Sequence, residues 1–312
     1  MIAQAAARAR ENIQKVIVGK DEVIDLVLAA ILCEGHILLE DVPGTGKTML
    51  ARSVAASLGC TFRRVQFTPD LLPSDVTGIN FFNQKAQEFQ FRPGPVMSQV
   101  MLADEINRAT PRTQSALLEA MQEQQITVDG ETYPLPRPFL VMATQNPIEL
   151  EGTFPLPEAQ IDRFLLKLPI GYPTEKEEHA ILLRFEQEDP LATLEPVTNP
   201  DELAEMQRKV REVRVEESVR GYIVDVVRAT REHKEIQLGA SPRGTLALYK
   251  CAQALTAIRG RDYVLPDDVK MLAPYVLTHR IMISPATRLR GRKLADVLMD
   301  VIDTVPVPVE RF

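Results

Sequence analysis

The amino-acid sequence predicts an α/β fold, in which an open and mostly parallel five-stranded sheet is followed by a small all-helical domain. Three observations lead to this prediction. Short apolar runs alternate with segments of helical periodicity, a glycine-rich turn joins the first run to a helix, and only helical periodicity remains after residue 190. We therefore expect one domain at residues 1–190 and a second at residues 191–312.

Five apolar runs have the length and composition of buried strands. A helical segment at 21–33 precedes the first run, and others, such as 49–58 and 113–123, lie between the runs. Because this alternation favours parallel pairing, we expect ligands to bind at the carboxyl ends of the strands. The predicted strands are residues 36–40, 61–68, 100–104, 139–144 and 164–168.

Two insertions interrupt the alternation. Residues 81–91 and 126–135 alternate apolar and polar side chains around turn-forming residues, and the second turn contains Asp129-Gly130. Both insertions are predicted to form β-hairpins that project from the core. A capping-box pattern at 174–177 then opens a helix that runs to about residue 186, and a linker rich in Pro, Thr and acids follows at 188–201.

The glycine-rich turn after the first strand has the chemistry of a phosphate-binding loop. Glycines let backbone N–H groups surround phosphates, lysine neutralises them, and a hydroxyl at the start of the helix binds Mg²⁺. An ordinary strand-to-helix turn is the alternative. The pattern departs from the usual one at Asp41, where a glycine is expected. The predicted ATP-binding residues here are Pro43, Gly44, Thr45, Gly46, Lys47, Thr48 and Met49, and Thr48 is also a predicted metal ligand.

Polar residues follow two of the predicted strands. Asp104 and Glu105 end the third strand, where acids are costly unless they serve a cation or a reaction. Asp104 is predicted to hold Mg²⁺ through water, and Glu105 to orient and polarise the attacking water. Asn146 follows the fourth strand and is predicted to contact the γ-phosphate or the water, although a turn-forming Asn is the alternative.

Three arginines are candidates for charge stabilisation during phosphoryl transfer. Arg108, Arg163 and Arg243 could act from a neighbouring subunit or from the second domain, because only arginine supplies a rigid fork of donors to a phosphate. Solvated surface arginines are the alternative. Their positions in the sequence leave both interpretations open.

Taken in order, these segments resemble the AAA+ superfamily, and several are similar to the MoxR family in particular. The resemblance covers nearly the whole chain. It is carried by DLLPSD at 70–75, DEINRA at 104–109, ATQNP at 143–147, PLPEAQ at 155–160, DRF at 162–164 and ASPR at 240–243.

The resemblance implies an AAA+ P-loop core and a helical lid domain, and it assigns roles to single residues. Asn146 would be the first sensor, Arg163 the arginine finger, and Arg243 the second sensor, acting in its own site or a neighbour's. Val18 and Gly19 match the segment that packs on adenine. MoxR proteins form rings, usually hexamers, and are thought to mature client protein complexes, often beside partners with von Willebrand A domains. An ATPase with ATP and Mg²⁺ as cofactors is therefore expected.

The composition of the chain disfavours some classes of binding partner. The 36 basic and 43 acidic residues give a net charge of −7, which disfavours nucleic acid and favours protein partners. No apolar stretch reaches the ~20 residues that a membrane span needs, and a cytoplasmic location is expected. The three cysteines are scattered and are expected to be packing residues.

Two functional alternatives share this architecture. The ATPase subunit of a metal chelatase has the same machinery, and a nucleic-acid motor would use basic residues on its hairpins. Here the second hairpin carries Asp129 and Glu131 at its tip, which disfavours the motor. A non-hydrolysing scaffold is disfavoured because Glu105, Asn146 and Arg163 occur together.

Overall fold

The computed structural model describes residues 1–40, 42, 44–146, 152–186 and 189–308 of the chain. None of the helices within these ranges is long and apolar enough to cross a membrane. The helices are α1 Ile2–Gln14, α2 Asp21–Leu32, α3 Lys47–Ser57, α4 Pro73–Thr77, α5 Pro111–Glu123, α6 Glu158–Ile161, α7 Glu175–Phe185, α8 Pro200–Val210, α9 Glu217–Glu232, α10 Pro242–Ile258, α11 Pro266–Leu277, α12 Pro285–Leu289 and α13 Leu294–Thr304.

The central sheet confirms the predicted α/β class. Its five strands stand in the order β2-β5-β8-β1-β9, and every neighbouring pair is parallel. Parallel strands buried on both faces are continuously apolar, as in β5, where four of the five residues are buried. The strands are β1 Ile37–Glu40, β2 Phe62–Gln66, β5 Val100–Asp104, β8 Leu140–Gln145 and β9 Leu166–Leu168.

Both predicted hairpins are present. The first consists of β3 Gly78–Asn83 and β4 Glu88–Pro93, and the second of β6 Gln125–Val128 and β7 Glu131–Pro134. The second turns at Asp129-Gly130, where both residues have positive φ as a tight hairpin turn requires. The hairpins touch each other, because Phe91 stacks on Tyr133 with ring centroids 4.1 Å apart and Asn80 Nδ2 donates to Asp129 Oδ2 at 3.0 Å.

The prediction of an all-helical second domain was wrong in one respect. Two short strands, β10 Ile236–Leu238 and β11 Met282–Ile283, pair antiparallel among its helices. Strands of two and three residues are too short to leave an alternating pattern, so the surrounding helical periodicity concealed them.

The C-terminal helices pack closely on the N-terminal ones. A single hydrophobic cluster continues from α1, α2 and α3 into α8, α9, α10 and α11. The predicted linker also lies on this surface, since Val197 N–H donates to Ser57 O at 2.9 Å and Asn12 Nδ2 donates to Glu195 O at 2.9 Å. The connecting segment is therefore held against the core over the part that the structure describes.

Candidate active site

A cavity of about 420 Å³ lies at the carboxyl ends of the central strands. We call it the phosphate cavity. The sequence-predicted Lys47, Thr48, Asp104, Glu105 and Asn146 all line it, although they come from three separate segments of the chain. Its lining is Gly44, Gly46, Lys47, Thr48, Met49, Arg64, Gln66, Asp104, Glu105, Thr144 and Asn146.

The loop between β1 and α3 requires glycine for its backbone conformation. Gly44 and Gly46 have φ of +85° and +87°, a region that other residues rarely adopt. Gly46 is the N-cap of α3, so the first N–H groups of that helix and its positive dipole end face the loop, which favours a bound phosphate. Pro43 and the atypical Asp41 lie outside the described residues.

A second cavity, of about 200 Å³, adjoins the first and is mostly apolar. It shares Gly44, Gly46 and Met49 with the phosphate cavity, so the two spaces are contiguous at the loop. An apolar pocket beside a phosphate-binding loop fits the base of a purine nucleotide. Its lining is Val16, Ile17, Val18, Lys20, Gly44, Thr45, Gly46, Met49, Leu50, Ile170, Pro173 and Ile181.

The two residues predicted to pack on adenine differ in position. Val18 lines the apolar pocket, whereas Gly19 is absent from its lining. Gly19 instead has a φ of +67°, and a Cβ there would come within 1.7 Å of Glu177 Oε1. We infer that glycine at this position serves the close approach of α7, whose Ile181 forms part of the pocket wall.

The two acids of the phosphate cavity are held by hydrogen bonds within the subunit. Thr144 joins them, because its hydroxyl donates to Asp104 Oδ1 and accepts from the N–H of Glu105, both at 2.7 Å. Arg64 Nη2 lies 2.6 Å from Asp104 Oδ2, and Gln66 Nε2 donates to Glu105 Oε2 at 2.6 Å. Glu105 itself has a φ of +55°, a strained conformation that is typical of functional sites.

Arg64, Gln66 and Thr144 were not identified from the sequence. Gln66 is in register with Asp104 across β2 and β5, which places Arg64 and Gln66 beside the acids. A signal was available, because polar residues at the carboxyl end of a predicted strand belong to the ligand-binding edge of a parallel sheet. Only the strand order, however, makes β2 the neighbour of β5.

The predicted arginines separate into two groups. Arg108 lies beside the phosphate cavity of its own subunit, where its Nε is 3.2 Å from Glu105 Oε2. Arg163 and Arg243 line a different cavity of about 290 Å³, which we call the arginine cleft. They come from distant parts of the chain. Arg163 lies in the loop before β9, and Arg243 lies in the first turn of α10.

The arginines of the arginine cleft lack partners that Arg108 has. Among the described residues, no carboxylate forms an ion pair with Arg163 or Arg243, and the buried Nε of Arg163 meets no acceptor. Lys250, which is two turns along α10 from Arg243, lines the same cleft. This arrangement suits an anionic group supplied by another molecule.

The residues present fit a nucleotide with Mg²⁺ better than a resident metal. No cluster of three or more His, Cys, Asp or Glu side chains able to hold a metal occurs in the described ranges. Mg²⁺ commonly keeps several waters and binds through one or two protein oxygens and substrate phosphates. Thr48 and Asp104 in one cavity are sufficient for that role.

Comparisons with known proteins agree with this geometry. The family model described as "ATPase family associated with various cellular activities (AAA)" matches residues 36–166, and the AAA lid domain model matches residues 228–298. Uncharacterized protein YeaC of Bacillus subtilis is 53% identical over 97% of this chain and 95% of its own length. Chaperone MoxR1 of Mycobacterium tuberculosis is 42% identical over 96% of this chain and 82% of its own length.

A solved structure and a more distant relative complete the comparison. The crystal structure of a candidate ATPase from Cytophaga hutchinsonii superimposes with a TM-score of 0.90 at 37% identity and covers 98% of both chains. A magnesium-chelatase subunit ChlI from Nephroselmis olivacea is 25% identical over 80% of this chain and 69% of its own length.

Proposed function

The chain belongs to the MoxR family of AAA+ ATPases, and from this premise we propose that it hydrolyses ATP within a ring of identical subunits. One observation carries the proposal. The residues suited to binding nucleotide and activating water lie in the phosphate cavity, whereas Arg163 and Arg243 lie in a separate cleft of the same subunit. A complete site then requires the phosphate cavity of one subunit and the arginine cleft of the next.

Within the phosphate cavity the roles follow from position and chemistry. The N–H groups of the loop and the Lys47 ammonium bind the phosphates, and Thr48 with Asp104 would hold Mg²⁺, which neutralises phosphate charge when bound. Glu105 orients and polarises the attacking water, and the Asn146 amide contacts that water or the γ-phosphate. Glu105 must first exchange its bond to Gln66 for one to water.

Arg163 is proposed as the arginine finger and Arg243 as a second contact, both acting on the nucleotide of the neighbouring subunit. Support comes from their shared cleft and from the absence of Arg243 from the lining of both nucleotide cavities. Arg108 is less suited to this role, because it already pairs with Glu105 of its own subunit. It would instead hold Glu105 in place between turnovers.

The exposed surface of the first hairpin favours a protein as the binding partner. Phe82 and Phe89 pair near its tip with ring centroids 5.4 Å apart, yet they are 51% and 73% exposed. Exposed aromatic side chains favour contact with apolar protein surface. We propose that the ATPase cycle remodels, matures or assembles client protein complexes through this hairpin, in a ring of six and beside a von Willebrand A domain partner. A cytoplasmic location stays a prediction.

Both alternatives are less well supported. The chelatase subunit is less similar to this chain than MoxR1 is, at 25% identity against 42%. A nucleic-acid motor would use cations on its hairpins, but the tip of the second hairpin carries the acid Asp129, which accepts a hydrogen bond from Asn80 of the first hairpin.

Mixing two inactive variants tests the ring and the finger together. Lys47→Ala subunits have a dead site and an intact finger, whereas Arg163→Ala subunits have an intact site and no finger. Arg163→Ala alone should lose at least about 10³-fold in turnover, because an arginine finger stabilises the charge of the transition state. Lys47→Ala alone should be nearly inactive, because it loses a phosphate contact. Mixed rings should regain activity wherever a Lys47→Ala subunit supplies the finger to an Arg163→Ala site. The measurement is ATP turnover at varied mixing ratios.

Assembly is the control for this experiment. Each variant must form the same particle with Mg²⁺ and ATP as the unmodified chain, measured by light scattering. Mixed rings that recover nothing would move the finger to Arg108 or confine Arg163 to its own subunit. A particle that stays monomeric at high concentration with ATP would reject the ring.

A further inference from the structure

A buried arginine of the lid holds the backbone on both sides of Arg163. Arg280, at the end of a short 3₁₀ turn after α11, has a side chain that is only 3% exposed. Its Nε donates to Asp162 Oδ1 at 2.8 Å. Its Nη2 and Nη1 donate to the carbonyl oxygens of Phe164 at 2.6 Å and Leu165 at 3.2 Å. One guanidinium thus fixes the residue before Arg163 and the two residues after it.

The same carboxylate also binds the helix that carries Arg243. The Ser241 hydroxyl donates to Asp162 Oδ2 at 3.0 Å and accepts from the N–H of Arg243 at 3.2 Å. Ser241 is the N-cap of α10, so its position sets where the first turn of that helix begins. Asp162 therefore uses one oxygen for Arg280 and the other for Ser241.

The packing of the lid does not by itself require the ion pair between Arg280 and Asp162. Burial lowers the pKa of the Arg280 guanidinium, and the Asp162 carboxylate beside it opposes that shift. Buried ion pairs are costly to desolvate, and apolar side chains of similar size often stabilise a fold as well or better. Apolar contacts already join the lid to the N-terminal helices. What the ion pair adds is a fixed geometry, since the planar fork of arginine binds several acceptors at set angles.

We propose that Asp162, Ser241 and Arg280, together the Asp162 lock, fix Arg163 and Arg243 relative to each other so that both reach one phosphate of the neighbouring subunit. The three are positioning residues for ATP hydrolysis. The inference rests on the proposed function, because an Arg163 that acts across the interface is what the lock positions.

Arg280→Lys tests the lock directly, because lysine keeps the positive charge but lacks the planar guanidinium that binds several acceptors at once. A misplacement of about 1 Å at a catalytic group costs on the order of 10²-fold in rate. We expect kcat to fall about 10-fold to 100-fold while the KM for ATP and the particle size stay within about twofold. Arg261→Lys is the matched control, since Arg261 binds the buried Asp268 of the lid through both carboxylate oxygens, at 2.6 and 2.8 Å, outside the arginine cleft. It should leave kcat within about twofold.

A double-variant cycle separates positioning from general stability. In an Arg163→Ala background, Arg280→Lys should cost much less activity than in the unmodified chain, because the side chain of Arg163, whose neighbours Asp162 and Phe164 are bound directly by Arg280, is gone. Arg280→Lys subunits should also regain activity when mixed with Lys47→Ala subunits, which supply a correctly held finger. Effects on kcat that multiply in the double variant would overturn the lock and leave Arg280 a structural residue.

Ser241→Gly covers the case in which Arg280→Lys fails to fold. Glycine is nearly as good an N-cap as serine but removes the hydroxyl that joins α10 to Asp162, and kcat should fall about 3-fold to 10-fold. If Arg163→Ala is inactive but both lock variants turn over normally, the lock is rejected and the proposed function stands. If Arg163→Ala turns over normally, the proposed finger fails and the lock fails with it.

Discussion

The phosphate cavity and the arginine cleft differ in how their charged side chains are held. In the phosphate cavity, Asp104 pairs with Arg64, and Glu105 pairs with Gln66 and Arg108 of the same subunit. In the arginine cleft, Arg163 and Arg243 have no carboxylate partner among the described residues, although Asp162 lies between them and is bound to Arg280. The acids of one cavity are paired within the subunit, whereas the two arginines of the other are proposed to act on a neighbouring subunit.

The contrast indicates how each cavity would have to change during the proposed ATPase cycle. In the proposed mechanism, the acids of the phosphate cavity have to leave their protein partners before they serve Mg²⁺ and water, so the bonds to Arg64, Gln66 and Arg108 describe a resting arrangement. In the same mechanism, Arg163 and Arg243 have no carboxylate partner to release among the described residues and need only an anion at the right distance. Hydrolysis should therefore be limited by events within the phosphate cavity once the ring has formed.

The largest effect should come from the phosphate cavity itself. Glu105→Gln removes water activation but retains the phosphate contacts, so turnover should fall by about 10³-fold or more while ATP still binds. Lys47→Ala removes a phosphate contact and should lose ATP binding as well. Fluorescent-nucleotide titration beside a turnover assay distinguishes the two. A Glu105→Gln variant that fails to bind nucleotide would contradict the role given to Glu105.

An intermediate effect is expected when the resting bond to Asp104 is removed. Arg64→Ala frees Asp104 to bind Mg²⁺ through water, so the Mg²⁺ concentration at half-maximal turnover should fall about 3-fold to 10-fold, since an adjacent cation opposes a second one. Arg63→Ala is the matched control, because Arg63 is an exposed arginine on the same strand. An unchanged or higher Mg²⁺ requirement in Arg64→Ala would show that Arg64 does not compete for Asp104.

The smallest effect concerns stability beside the arginine cleft, which His36 helps to line. Its Nε2 contacts Met121 O at 3.1 Å and its Nδ1 accepts from Val141 N–H at 3.0 Å, so the ring is neutral in the fold. Burial lowers its pKa from 6.5 to about 4. Above pH 6.5 the folded and unfolded chains hold equal protons at this site, whereas below it the unfolded chain binds one more, and stability falls.

We expect the free energy of unfolding to fall by about 1.4 kcal/mol per pH unit through His36 between about pH 6 and 4.5. The buried His279, whose pKa burial also lowers, should add to the loss. Urea unfolding at pH 7.5, 6 and 5 measures the slope. His36→Asn should flatten it, while the exposed His179→Gln should not. A His36→Asn slope equal to that of the unmodified chain would mean that His36 protonates within the fold.

Several features could be predicted because they depend on local chemistry. The glycines of the phosphate loop, the acids after β5 and the tight turn at Asp129-Gly130 each carry their signal in adjacent residues. The strands β10 and β11, of three and two residues, could not be predicted, since their pairing joins segments more than 40 residues apart. The packing of Gly19 on adenine stays a prediction from the family resemblance, and the close approach of Glu177 to Gly19 depends on where α7 packs.

By itself the sequence determined the parallel α/β core, the glycines after the first strand, and five polar residues that line the phosphate cavity, namely Lys47, Thr48, Asp104, Glu105 and Asn146. Those properties follow from side-chain chemistry and short-range periodicity. The tertiary structure alone decided that Arg64 and Gln66 hold the acids, that Arg108 stays with its own Glu105, and that Arg163 and Arg243 share a cleft joined through Asp162. Strand order and lid packing bring these residues together from distant parts of the chain, and no local pattern encodes that proximity.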